Sequence, residues 1–205
     1  MHSVRALNEF DTFIRHDQAA SIVRKVCAFG EPMMSNMVSS RKPFGLPTVA
    51  RPQESGDILL RWQNGEGPYR RDEITVGREL IDKWKVITSY VGYDHAGNPG
   101  KDGKRRVFSK IDILPPGTIC TETYLVVGNF DTEQEAKKLV AYMKTLFFRF
   151  LVAQCMYSHH ITKEAYRLVP IQDFSLSWTD EKLYAKYGIT DEEIKFIESM
   201  VRPME

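Results

Sequence analysis

The stretch SSRKPFGLP sets two hydroxyls and two cations, Ser39, Ser40, Arg41 and Lys42, directly before a proline, an aromatic and a glycine. Pro43 and Gly45 interrupt any helix through it and its polarity argues against a core strand, so these side chains stand on a stiffened loop. Other segments offer similar groups: Arg61, Gln63 and Asn64 at a predicted hairpin tip, Arg70 and Arg71 just after it, and Lys101, Lys104, Arg105, Arg106 and Lys110 around a glycine-rich loop. Lysine and arginine neutralise phosphates and give salt-dependent affinity, whereas Arg, Gln, Asn and Ser also hydrogen-bond base edges. Tyr69 and Phe44 can stack on a base or simply pack.

Catalytic patterns are missing. The chain has no glycine-rich phosphate loop, GxSxG, HExxH or Cys/His metal spacing. His159 and His160 are adjacent and so diverge on a helix, which suits polar surface contacts better than joint metal binding. A carboxylate and lysine site of the nuclease kind can be assembled from Asp173, Asp180 and Lys182, but acidic residues in the first turn of a helix have a sufficient role in stabilising its N-terminus.

Charge is divided unevenly. Residues 41–110 hold 14 Lys and Arg against 9 Asp and Glu, which leaves 14 against 18 in the rest of this 205-residue chain. A cationic part on an otherwise near-neutral protein is the footprint of a polyanion partner, or else a set of cationic loops that are merely solvated. The greasiest window, TLFFRFLVAQCM, is cut by Arg149 and Gln154, and the N-terminus has no apolar signal region, so a soluble cytoplasmic protein is expected, with no membrane partner. Cys27, Cys120 and Cys155 are far apart, which suits reduced, buried thiols.

The elements that must hold these groups follow from periodicity. Asp17 is expected to cap a short helix with Ala19, Ile22, Val23 and Val26 on its buried face, ended at Gly30. Short strands are expected in GDILLRWQNGEGPY, KVITSYVGY and TICTETYLVVGNF, with Asn64-Gly65 turning a hairpin. Between them ITVGRELIDKW reads as a short helix, and residues 94–106 as an exposed loop. From the Thr132 and Glu135 capping box, apolar residues from Ala136 to Leu151 recur at three- and four-residue steps, predicting one helix of roughly six turns. AYRLVPIQDF reads as strand-like, with Pro170 placing it at a sheet edge or a strand end, and two short helices start at Thr179 and Thr190. The expected fold is α+β: a mixed, curved sheet on one long helix through residues 1–172, and a helical appendage at 173–205 that is acidic, with 4 Lys and Arg against 8 Asp and Glu.

The stretches SSRKPFGL, GDILLRWQNG, ELIDKWKVITS, TETYLVVGNFDTEQEA, MKTLFFRFLVAQ and VPIQDFSLSWTDEKLYAKYGITDEEIKFIESM resemble the C-terminal region of bacterial restriction-modification N6-adenine DNA methyltransferases in which methylase and specificity functions share one polypeptide. The resemblance covers essentially the whole chain and is most specific from Cys120 to Met204. The order strand, aromatic helix, LVPIQDF also looks like the half-domain plan of type I specificity subunits. It implies a target recognition domain that lies in the major groove of double-stranded DNA, and it implies that Ser39 to Lys42 face the DNA. The family's Asn-Pro-Pro-Tyr motif and its S-adenosylmethionine loop are not in this sequence. The expectation is therefore a fragment with no cofactor of its own, joined to a methylase domain of the same polypeptide that binds S-adenosylmethionine. The rival expectations are a nuclease module and a module that docks a partner restriction subunit through the Thr132 helix and the acidic tail.

Overall fold

Ala19, Ile22, Val23 and Val26 form the buried face of helix α1 (Asp17–Cys27), as their spacing requires. The N-cap is His16, one residue before the expected Asp17, whose carboxylate lies in the first turn where it favours the helix dipole. The structure, a computed structural model, describes residues 9–94 and 99–204. Residues 95–98 of the glycine-rich loop therefore lie outside the described residues.

The strands β1 (Ile58–Trp62), β2 (Gly65–Tyr69), β3 (Trp84–Ser89), β4 (Ile111–Leu114), β5 (Thr118–Cys120) and β6 (Tyr124–Phe130) make two three-stranded sheets, where the sequence suggested one. The α+β class holds. One sheet has the order β2-β1-β5, the other β4-β3-β6. β1 is antiparallel to β2 and parallel to β5, while β3 is antiparallel to both of its neighbours. Alternation along β6 explains the separation: Tyr124 and Val126 pack with Ile58, Leu60 and Ile119, whereas Leu125 and Val127 pack with the helices. Successive strand residues point to opposite faces, so the β4-β3-β6 sheet is buried on both sides and the other sheet stacks over it.

The expected six-turn helix is two helices, α2 (Glu133–Lys144) and α3 (Leu146–Gln154), broken at Thr145, whose backbone is extended with ψ 151°. Thr145 Oγ1 accepts from the Phe148 N–H at 3.1 Å, and the Asp180 carboxylate accepts from Leu146 N–H at 3.0 Å and Phe147 N–H at 2.8 Å. Three N–H groups that a continuous helix would have satisfied internally are thus capped by side chains. Apolar spacing runs unbroken across the kink because both helices are buried in the same core.

Two other expectations are corrected. ITVGRELIDKW is no helix: Gly77, at φ 68°, leads into a single 3-10 turn at Arg78–Leu80, and Trp84 already begins β3. AYRLVPIQDF is no strand: its first two residues end a 3-10 turn at Lys163–Tyr166, and Pro170 makes only an isolated bridge with Met33. In that segment the Pro170 carbonyl is taken by the Tyr142 hydroxyl, so it serves the core rather than a ladder.

α4 (Asp180–Tyr187) starts at the Thr179 cap and ends at Gly188, and α5 (Asp191–Met200) opens with the Thr190 and Glu193 capping box, both as expected. Leu183, Tyr187, Ile197 and Val201 share a core with α1, α2 and α3, so the tail completes that core. No helix among the described residues is long and apolar enough to cross a membrane.

Glu193 also ties α5 to α1. Its carboxylate accepts from Lys25 Nζ at 2.6 Å, Ser21 Oγ at 2.8 Å and the Thr190 N–H at 2.9 Å. Burial pushes this carboxyl up, but Lys25, the Thr190 N–H and Ser21 outweigh burial and hold it below the usual glutamate value of 4.5. A depressed folded-state value means that the clamp stabilises above the unfolded value and is lost as pH falls through the folded one. Glu193→Gln is expected to flatten the acid limb of the urea midpoint between about pH 5 and pH 3, and an unchanged limb would show that other carboxylates govern it.

Candidate functional site

The two sheets meet where the chain leaves β5 and turns through residues 121–123 into β6. Here Thr121 N–H donates to the Arg61 carbonyl at 3.2 Å, Glu122 N–H to Leu46 at 2.9 Å, and Tyr90 N–H to Thr123 at 2.8 Å. The hairpin, the SSRKPFGLP loop and the end of β3 are thereby tied to one crossing. Over it opens a cleft of about 550 Å³ bordered by Arg41, Gln63, Tyr90, Ser109, Lys110, Glu122 and His160. Through Gln63, Lys110 and Tyr124 it continues into a second hollow, of about 390 Å³, that carries Arg61 and Asn64.

Glu122 organises the loop. Its carboxylate lies 3.1 Å from Arg41 Nε and 3.7 Å from Lys42 Nζ, and accepts from the Thr48 N–H at 3.1 Å. Burial pushes the Glu122 carboxyl up, yet the Thr48 N–H and the two cations outweigh it and keep it below the ordinary range. Arg41 also rests 4.8 Å from the centroid of the Tyr90 ring, on which His160 stacks at 4.6 Å. Burial, then the neighbouring His159 and the Arg41 charge, pull His160 below the usual imidazole value. The loop is stiff, as its prolines imply: Pro43 and Phe44 are buried, and Lys42 takes a left-handed conformation at φ 62° while its carbonyl accepts from Gly45 N–H at 2.9 Å. Phe44 packs in the inter-sheet core, which settles its role as packing.

Every cation bordering the cleft already has a carboxylate. Arg61 donates to Glu66 at 2.5 Å and to Asp112 at 2.9 Å, and Lys110 lies 3.1 Å from the same Asp112. The amides differ. Gln63 and Asn64 are exposed, and their side chains make no hydrogen bond to any described residue.

Of the fourteen residues expected to face a ligand, Arg41, Gln63 and Lys110 border the cleft and Arg61 and Asn64 the hollow that adjoins it, with Lys42 bound to its Glu122 and Ser40 exposed alongside. Ser39 is turned inward: its N–H donates to the Val126 carbonyl at 2.8 Å and its hydroxyl accepts from the Val126 N–H at 3.1 Å, so it anchors the loop to β6. Arg70 and Arg71 sit at the far end of the hairpin, where Ile58 faces Tyr69, and are consumed locally by Asp72 at 2.7 Å and by Asp82 at 2.7 and 2.6 Å. Arg105 is half-buried and donates to the Ala153 carbonyl at 3.0 Å; burial, then the Arg15 charge, lower its guanidinium. It is drawn in because Val107 and Phe108, just beyond it, enter the core. Arg106 lies 4.7 Å over the Tyr93 ring, and Lys101 and Lys104 stand on a turn that Asp102 ties to Arg202. None of these three borders the cleft.

Tyr90, Ser109, Glu122 and His160 were not legible as site residues. His160 enters through an isolated bridge with Val91, a pairing across 69 positions that no local spacing announces. The residues of a nuclease-like site are engaged separately: Asp180 caps α3, Asp173 accepts from Ser175 N–H at 2.8 Å, and Lys182 donates to the Ser177 carbonyl at 2.8 Å. Comparison with protein-family models, curated proteins and solved structures finds no match to this chain.

Proposed function

We propose that this chain recognises duplex DNA sequence-specifically, as the specificity module of an adenine-specific DNA methyltransferase or combined restriction-modification enzyme. In that reading methyl transfer and S-adenosylmethionine binding belong to a methylase domain of the same polypeptide, and the present chain supplies recognition. The supporting observation is the convergence of Arg41, Arg61, Gln63, Asn64 and Lys110, from three separate segments, on two adjoining open hollows at the sheet crossing. The stretches that carry the family resemblance also build this crossing, since SSRKPFGL, GDILLRWQNG and TETYLVVGNF contribute its loop, its hairpin and β6.

The pairing of the cations shapes how such a site would work. A phosphate entering beside Arg41 or Lys110 exchanges with Glu122 or Asp112 rather than meeting a bare charge, which restrains non-specific affinity. Discrimination then falls to the groups that are free, the amides at the hairpin tip.

The test is binding to a pool of random-sequence duplexes at several salt concentrations, with sequencing of the retained fraction. An enriched motif and a steep loss of affinity in salt are expected. Arg41→Ala with Lys110→Ala should weaken binding to all sequences and reduce the salt slope by about 1 to 2. Arg105→Ala should lower stability and leave the slope alone, because its guanidinium is held by Ala153. No enrichment, with a slope indifferent to Arg41 and Lys110, would overturn the reading.

A further inference from the structure

The contrast at the cleft is between cations that are satisfied and amides that are not, and the two amides stand at the tip of the β1–β2 hairpin. Trp62 faces Gly65 across that hairpin, so its loop is only Gln63 and Asn64. The tip is braced: a side chain at Gly65 would meet the Trp62 indole at 3.4 Å, and one at Gly67 would strike Pro52 at 2.6 Å. Indole and proline thus fill the space that these glycines leave open beside β2. β1 also pairs with β5 as far as Arg61, so only the tip from Trp62 to Gly65 projects as a two-stranded antiparallel ribbon, of a width that the major groove of B-DNA, about 12 Å across, admits.

Resting on the DNA-recognition reading above, we infer that Gln63 is a specificity-determining residue that reads adenine in the major groove. Its carboxamide presents one acceptor and one donor in a plane: Oε1 accepts from the adenine N6 amino group while Nε2 donates to N7. Guanine offers two acceptors, O6 and N7, at the same edge, so the same carboxamide sets Oε1 against O6, acceptor against acceptor. Gln63 borders both hollows, as Lys110 does, whereas Arg41 lines only the first and Arg61 and Asn64 only the second, so the reading group stands where the two join. The cations set the register on the backbone, and of the two free amides Gln63 is the one that lines both hollows.

The experiment is selection from random duplexes with the wild-type chain and Gln63→Ala, followed by affinity measurements on the recovered site carrying adenine or 7-deazaadenine at the position in question. Gln63→Ala is expected to lose one adenine position from the motif, keep the flanking positions and keep the salt slope. Loss of N7 should weaken the wild type roughly 5- to 100-fold and leave Gln63→Ala indifferent. A variant that retains every adenine position, or a wild type indifferent to 7-deazaadenine at all of them, overturns the assignment while DNA recognition stands. A wild type that enriches no sequence overturns the recognition reading itself, and the assignment with it. Gln63 lies exposed in a turn, so an unchanged circular dichroism spectrum and urea midpoint separate a reading defect from a folding one.

Discussion

Arg149→Met is expected to lower the stability of the chain by about 3 kcal/mol. Arg149 is fully buried in α3 and spends its donors on main-chain carbonyls: Nη1 on Arg202 at 2.7 Å, Nε on Thr145 at 3.2 Å, and Nη2 on Lys144 at 3.1 Å. One side chain thereby joins the end of α2, the start of α3 and the last residues of the chain. Burial pulls its guanidinium down to about 10, against an ordinary 12.5, so the charge is costly where it stands. An apolar replacement removes that cost but leaves the Lys144 and Arg202 carbonyls without this donor, at about 1–3 kcal/mol for each buried acceptor left unpaired. The second effect wins because one guanidinium satisfies several acceptors at once. Urea unfolding gives the answer: a drop in midpoint with unchanged slope is expected, and stability within about 0.5 kcal/mol of wild type would mean that desolvation and carbonyl satisfaction cancel.

Gly77→Ala should damage both the fold and the cleft. Gly77 adopts φ 68°, a conformation that costs a residue with a Cβ about 1–2 kcal/mol, and that Cβ would fall 2.2 Å from the Pro43 carbonyl oxygen. Backbone must move, and the backbone in question carries Arg41 and Lys42 to Glu122. A loss of about 3 kcal/mol in stability is expected, together with a several-fold loss of DNA affinity that follows the displaced loop. Thermal unfolding and duplex binding on the same preparation separate the two effects. Wild-type stability would show that Pro43 yields freely, and wild-type affinity in a destabilised variant would show that the loop's position does not matter to binding.

Much of the local structure was legible because it is enforced locally. The buried face of α1, a hairpin after β1, and the caps at Thr179 and Thr190 each depend on residues close in sequence, although the hairpin turns on Gln63 and Asn64, one position before the expected Asn64-Gly65. The failures share a cause. Nothing between Ala136 and Leu151 shows that the helix breaks at Thr145, because the carboxylate that caps the new start is Asp180, more than thirty residues away. The segment ITVGRELIDKW has apolar spacing adequate for a helix, but Gly77 lies tight against Pro43 and holds the chain in a turn.

The candidate site divides along the same line. The kinds of side chain that matter, cations on a stiff loop and amides at a hairpin tip, were set by the sequence, as were the loops that present them. Which of those cations remain near a ligand surface was decided by tertiary structure, through carboxylates distant in the chain: Asp82 takes Arg71, Asp112 takes Arg61 and Lys110, and Glu122 holds Arg41 and Lys42. A charge is visible in a sequence, but its partner is a matter of distance in space, and electrostatic attraction between exposed groups falls away within about 10 Å. Only folding brings β5, β6, the end of β3 and the His160 segment to one crossing, and only there does a surplus of cations become a cleft with a small set of free hydrogen-bonding groups.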